Sequence, residues 1–324
     1  VVVIEYLMAR NEVVAFTLSR SGIDATRTPV DRAHLEKTLI QYRELIQKGA
    51  PVDELSASLH QILIEPVIEK IKEATVVGLV PHRGLHYLSF ASMKDSAGYL
   101  IDKKPIFYLP SVSVYQWSMN RRQAGPKTVL SALALGNPDL GDVNTDLPLS
   151  ELEAQSIKWS FPGARVLVGK QATESAAVKN AGDYRILHIA SHGQFDPVAP
   201  LRSALMLAGG EQADGALTAG EVFSMRLDAE MVVMSACQTG LGKVTGGDEV
   251  VGLNRAFLYS GARAVLSTLW RVDDLASALL IKHFYRGYSS MEKAQALRAA
   301  QLAVKSRFGH PSYWAGFTLV GDHM

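Results

Sequence analysis

Two stretches decide how this chain is read: RILHIASHG (185–193) and MVVMSACQTG (231–240). Each opens as a near-continuous apolar run of strand length. Such runs, without polar alternation, mark strands buried on both faces. Each run ends in a side chain capable of covalent or proton-transfer chemistry, His192 in the first and Cys237 in the second. A third run, ARAVLSTLW (262–270), comes after the second. Between them Asp248–Ser260 has helical spacing of Val250, Leu253 and Phe257, and Gly261 stops it. Strands alternating with helices imply a mainly parallel sheet covered on both faces, an α/β/α sandwich. Ligands of open α/β sheets bind at the carboxyl ends of the strands. His192 and Cys237, each expected just past its strand, should therefore share one edge.

The same alternation extends outward. TVLSALALG (128–136) and RVLVG (165–169) read as strands, with helices over Leu149–Phe161 and Glu174–Ala181, the second capped by Thr173. Helices over Asp274–Tyr288 and Met291–Phe308 precede a last strand in AGFTLVG (315–321). Toward the start, VVVIEYLMA and EVVAFTLS form a hairpin around Arg10–Glu12. Helical spacing over Asp31–Lys48 and Asp53–Lys72 comes next, the latter broken at Pro66, and then a strand in ATVVGLVP (74–81). PHRGLHYL (81–88) reads as a turn leading into another strand. The polar NRRQAGPK (120–127) suggests a boundary. The expected organisation is an N-terminal, non-catalytic α/β subdomain over 1–120 and a catalytic subdomain over 121–324.

Composition narrows the function classes. The chain has 324 residues, 48% of them hydrophobic, and a formal net charge of +1. Nothing in that balance argues for a nucleic-acid partner. A single cysteine allows no intrachain disulfide and fits a reducing, cytoplasmic compartment. No apolar run reaches the roughly 18 residues of a membrane span, and the opening VVVIEYLM lacks a basic leader. A first residue other than Met suggests a fragment or a processed product.

A thiol needs a base or a pre-formed imidazolium to act as a nucleophile at neutral pH. His192 can supply it to Cys237. Gly193 lets the backbone approach a substrate carbonyl closely, and its amide with that of Cys237 would make an oxyanion hole. Gly240, Gly242, Gly246 and Gly247 predict a mobile rim over Gln238–Gly247. The plain readings compete. A lone Cys after an apolar strand is more often a small buried hydrophobe. His188 is expected to be a packed or hydrogen-bonded core histidine. His82 and His86 have helical ligand spacing, but Pro81 and Gly84 argue against a helix there, and no metal or other cofactor is expected. Asp196 is a weak candidate to orient His192.

Several segments resemble a known family. HIASHGQFD (188–196) resembles the histidine motif of the CHAT domain family, bacterial relatives of caspases and separases. The segment 232–274, VVMSACQTG through TLWRVDD, resembles its cysteine motif and the stretch downstream of it. TVVGLVPHRGLHYLSFASM (75–93), DGALTAGEVFSM (214–225), ALRAAQLAV (296–304) and HPSYWAGFTLVGD (310–322) resemble further blocks. The resemblance implies a caspase-like fold with a degenerate protease-like N-terminal subdomain. It implies His192 and Cys237 as the dyad, with Gly193 and Cys237 at the oxyanion. It also implies a cysteine endopeptidase that forms a thioester on a protein or peptide substrate. In separases an acidic residue after a Leu-Trp pair serves an arginine pocket. By that likeness Asp274, and next Asp273, would bind a basic side chain, although either could simply cap the adjoining helix. A regulatory region or partner of the tetratricopeptide repeat type is a further implication. The alternative is a catalytically weak or inactive interaction module on the same fold.

Overall fold

A computed structural model describes residues 1–115, 131–196, 198–210, 213–239 and 249–324, with the backbone alone for 236–239 and 249–251. The expected boundary at 120 lies outside the described residues, as does 240–248, which holds most of the expected mobile rim.

In the first half β1 (Val2–Met8) and β2 (Glu12–Ser19) form the expected hairpin, and β3 (Gly22–Pro29) extends it as a largely exposed edge strand. Asp31 caps α1 (Arg32–Gln47) by accepting the His34 amide. Pro66 lies in a 3₁₀ turn that separates α2 (Asp53–Leu63) from α3 (Ile68–Glu73). Beyond β4 (Val77–Val80) the predicted second strand is absent. Two 3₁₀ turns, Arg83–Tyr87 and Phe90–Ser92, take its place. Serine hydroxyls hold that path: Ser92 Oγ donates to Ser89 O, and Ser89 Oγ donates to Ala315 O. A small hairpin, β5 (Lys94–Asp95) and β6 (Gly98–Tyr99), leads to α4 (Leu100–Lys103) and β7 (Ile106–Tyr108).

The second half runs β8 (Ala132–Pro138), α5 (Pro148–Ser160), β9 (Arg165–Gly169), α6 (Glu174–Asn180) and β10 (Ile186–Gln194). Two short strands, β11 (Ala204–Met206) and β12 (Ala216–Thr218), precede α7 (Ala219–Ser224). Then come β13 (Met231–Thr239), α8 (Glu249–Ser260), β14 (Ala264–Thr268), α9 (Asp274–Tyr288), α10 (Lys293–Phe308) and β15 (Phe317–Gly321). Gly261 ends α8 at φ 125°, in the region that favours glycine.

All strands but β5 and β6 share one sheet, in the order β12-β11-β10-β13-β14-β15-β7-β4-β1-β2-β3, with β8 on β10 and β9 on β8. The pairs β9–β8, β8–β10, β10–β13 and β13–β14 are parallel, as the apolar runs predicted. β15 is antiparallel to β14 and parallel to β7. The parallel set of the first half therefore points opposite to that of the second, and its carboxyl ends open at the other edge. Of the two parallel sets, only that of the second half directs its carboxyl ends to the edge that carries His192.

α5 lies close on β8. A Cβ added at Gly136 would sit 2.5 Å from Ala154 Cβ and 2.7 Å from Ser150 O, so only glycine permits this approach. That approach fixes what α5 brings to the site.

Candidate active site

β10 and β13 are paired in register from Ile186↔Met231 to Gln194↔Thr239, and His192 is the partner of Cys237. The sequence reading placed both residues just past their strands. The structure places both inside, because the parallel ladder continues to Thr239 and β11 pairs with His192, Gly193 and Gln194 on the other side. Strands in a sheet lie about 4.8 Å apart, so the two Cα atoms are direct neighbours. Gly193 is buried within the same stretch and pairs with Gln238 and Leu205.

The half-buried His192 ring is oriented by the backbone. Its Nε2 lies 2.9 Å from the carbonyl oxygen of Thr145. A carbonyl only accepts, so Nε2 carries the proton and donates, and Nδ1 is left to act as a base. Thr145 belongs to the loop between β8 and α5, a turn built from side chains. Asp142 Oδ1 accepts the Asn144 amide, and Thr145 Oγ1 donates to Asp142 O. Asn137, at φ 46°, closes the loop: its Oδ1 accepts the Leu147 amide at 2.7 Å and its Nδ2 donates to Asp146 Oδ1 at 2.7 Å. Asp196 does not orient His192. Its carboxylate accepts the Ala199 and Val198 amides, which hold it below the usual carboxylate range.

Beside His192 lies a narrow polar pocket. Ser150 and Glu153 from α5, Ser235 from β13, and Arg271, Asp274 and Ser277 around the start of α9 line it. The two aspartates separate here. Asp273 is the N-cap of α9, accepting the Ala276 amide at 3.0 Å, whereas the half-buried Asp274 lines the pocket. Glu153, only 2% exposed, sits on the buried face of α5 with Ala154 and Ile157. Its Oε2 accepts from Ser235 Oγ at 3.1 Å. Its Oε1 lies 3.1 Å from Nε2 of the fully buried His188, yet the pair is not aligned for a hydrogen bond and both atoms lack a partner. His188 Nδ1 is 3.1 Å from the Tyr285 hydroxyl. Burial, and then the nearby Glu153 carboxylate, push that hydroxyl well above the usual phenol range, so it stays protonated and can donate. His188 is thus the hydrogen-bonded core histidine that was expected, with a buried acid beside it that sequence reading missed.

Among the described residues no group of three or more His, Cys, Asp or Glu side chains is arranged to hold a metal ion. His82 instead accepts the Met8 amide on Nδ1. Among the described residues no helix is long and apolar enough to cross a membrane.

The CHAT domain model matches residues 53–322. Tetratricopeptide repeat protein 28 of Mus musculus is 31% identical over 298 residues, an alignment covering 75% of this chain and 12% of that protein. The Homo sapiens protein of the same name is 29% identical with the same coverage. This chain thus spans a small part of the curated relatives it matches, and those relatives are mammalian rather than bacterial. Among solved structures, separase from the Saccharomyces cerevisiae separase–securin complex superposes with a TM-score of 0.65 at 13% identity, over 99% of this chain and 30% of that one. The Arg-specific cysteine proteinase gingipain R of Porphyromonas gingivalis superposes with a TM-score of 0.53 at 9% identity, over 90% and 74%. At these identities the likeness establishes a caspase-like α/β fold.

Proposed function

The chain belongs to the CHAT domain family, and on that premise we propose that it is a cysteine endopeptidase with Cys237 as nucleophile and His192 as general base. The observation that carries this reading is the register: the chain's one cysteine is the ladder partner of a histidine whose Nε2 is engaged by a backbone carbonyl. With Nε2 engaged, Nδ1 is the nitrogen proposed to take the thiol proton. In the proposed reaction the thiol proton passes to Nδ1 and the thiolate attacks the scissile carbonyl. The imidazolium then protonates the leaving amine. Water hydrolyses the resulting thioester. The developing oxyanion is assigned to the amides of Gly193 and Cys237, by family likeness. No step calls on a metal or an organic cofactor.

The pocket beside His192 is proposed to take the side chain on the amino side of the cut. Asp274 in its wall favours a basic residue there, since a cation taken out of water must be paired. Asp273 is spent on its helix cap and is the weaker candidate. The names of the mammalian relatives support a tetratricopeptide repeat region, or a protein partner of that type, as a regulator. A free thiol nucleophile suits a reducing compartment, and the cytoplasm is proposed on that ground.

Peptide-library cleavage by the purified chain, by Cys237→Ala and by His192→Ala tests the reading. The nucleophile variant should fall below about 1% of wild-type turnover with its circular dichroism unchanged, because losing a nucleophile costs orders of magnitude. Residual turnover above that level removes Cys237 from the mechanism. No cleavage, together with a thiol that alkylates no faster than free cysteine, favours the interaction-module alternative.

A further inference from the structure

We infer that Glu153 is the floor of the pocket beside His192 and the main determinant of a guanidinium-type occupant, with Asp274 at its rim. This rests on reading the pocket as the one that takes a substrate side chain. Three observations carry it. First, Glu153 is 2% exposed and still lines the pocket, whereas Asp274 is half-buried and Arg271 is exposed. Water screens the rim charges, but not the floor charge to the same degree. Second, Glu153 Oε1 is buried without a hydrogen-bond partner, although His188 Nε2 is 3.1 Å away. An orphaned buried acceptor is costly unless something donates to it. An N–H entering the pocket would do so, while Ser235 retains Oε2. Third, the rest of the lining suits a flat group with several donors. The hydroxyls of Ser150, Ser235 and Ser277 and carboxylates from two different helices converge there. A guanidinium carries five N–H donors in a rigid fork, whereas an ammonium is a compact point charge.

The charges around the pocket are mixed. Arg271 at the mouth opposes a cation, and Asp274 favours one. His188 Nδ1 meets the Tyr285 hydroxyl, and its Nε2 makes no hydrogen bond to Glu153. Glu153 is then the acidic group that an occupant meets at the bottom of the pocket.

The test uses the single cysteine as reporter. Iodoacetamide alkylation of Cys237, read out by intact mass, is measured with increasing agmatine and with N-carbamoylputrescine, which keeps the ammonium and replaces the guanidinium by a neutral urea, and needs no peptidase activity. In parallel, matched peptides carrying Arg or citrulline on the amino side of the cut are hydrolysed. Agmatine should protect the wild-type thiol and the urea isostere should not. Glu153→Gln should raise the agmatine concentration for half-protection about tenfold or more and reduce the Arg-to-citrulline ratio of kcat/KM in step. Asp274→Asn should have the smaller effect. Equal protection by the two ligands in wild type, or agmatine protection within twofold of wild type in Glu153→Gln, overturns the inference. Should Glu153→Gln fail to fold, Glu153→Asp decides. Drawing the carboxylate back by one methylene should weaken agmatine several-fold, and unchanged protection overturns the proposal. The two readings separate cleanly. A chain that cleaves no peptide but loses agmatine protection with Glu153 keeps this inference and refutes the peptidase. Cleavage without any preference for Arg does the reverse.

Discussion

Replacing Asn137 should disable the site from a distance, because this residue shapes the loop that presents the Thr145 carbonyl to His192. Asn137 contributes in two ways. It makes two side-chain hydrogen bonds of 2.7 Å across the loop, to Leu147 N and Asp146 Oδ1. It also adopts φ 46°, a left-handed conformation that Asn tolerates better than most residues. At about 1 kcal/mol for each partly exposed hydrogen bond, Asn137→Ala forfeits about 2 kcal/mol. The left-handed backbone adds about 1 kcal/mol for a residue with a Cβ and no compensating side-chain contact. Asn137→Gly loses the same hydrogen bonds but not the conformational term, so it should fall between wild type and Ala. In a domain of this size each kcal/mol corresponds to about 2 °C in Tm. Thermal unfolding should therefore rank wild type, Gly and Ala in that order. The functional consequence is separate. With the carbonyl displaced, His192 loses its fixed tautomer and orientation, and kcat should drop by about 10- to 100-fold with little change in KM. An Ala variant with lowered Tm but wild-type kcat would show that the loop stabilises the fold without positioning the base.

Gly136→Ala forces Ala154 and the Ser150 carbonyl away from β8; it should cost about 1–3 kcal/mol, read by chemical denaturation, and an unchanged midpoint would mean that α5 is not tightly seated. Asp273→Ala should cost about 1 kcal/mol as a lost helix cap while leaving the Arg-to-Leu selectivity of cleavage intact, whereas Asp274→Ala should lower that selectivity with little effect on Tm; the opposite pattern would exchange their roles. Burial holds His60, His82 and His283 below the usual imidazole range. The unfolded chain then binds protons that the folded chain does not, so stability is full above the unfolded pKa near 6.5 and is lost as pH falls below it. Tm measured from pH 7.5 to 5.5 should decline, and a flat or rising trend contradicts the reasoning.

What could be read from sequence was whatever buries apolar side chains in quantity. The runs 185–191 and 231–236 read as strands because the sheet is covered on both faces, and Asp31 and Gly261 marked helix ends by their own chemistry. β3 went unread because GIDATRTP is largely exposed and carries no apolar period. β7, β11 and β12 are three residues each, too short to show one. The antiparallel direction of β15 leaves no mark in composition at all. At the site, His192 and Cys237 were legible because their side chains announce chemistry. Thr145 was not, because it acts through a backbone carbonyl that every residue possesses. The signal that could have found it is the Asn- and Asp-rich turn of 137–146, which fixes a loop rather than a strand end. Glu153 also left a trace: an acid one position before Ala154 and four before Ile157, on the apolar face of a helix, demands a buried partner.

The place of β15 also constrains how the molecule can be made. It fills the gap between β14 and β7, so the two halves of the sheet can join only after the ribosome has delivered residues as far as Gly321. Until then β14 and β7 each present an open, apolar edge able to recruit a strand from another nascent chain. Seam closure is a long-range pairing and correspondingly slow. A frameshift or premature stop anywhere after β14 would therefore be worse than the loss of a few residues: it would release a chain with two adhesive edges, a natural client for chaperones and proteases.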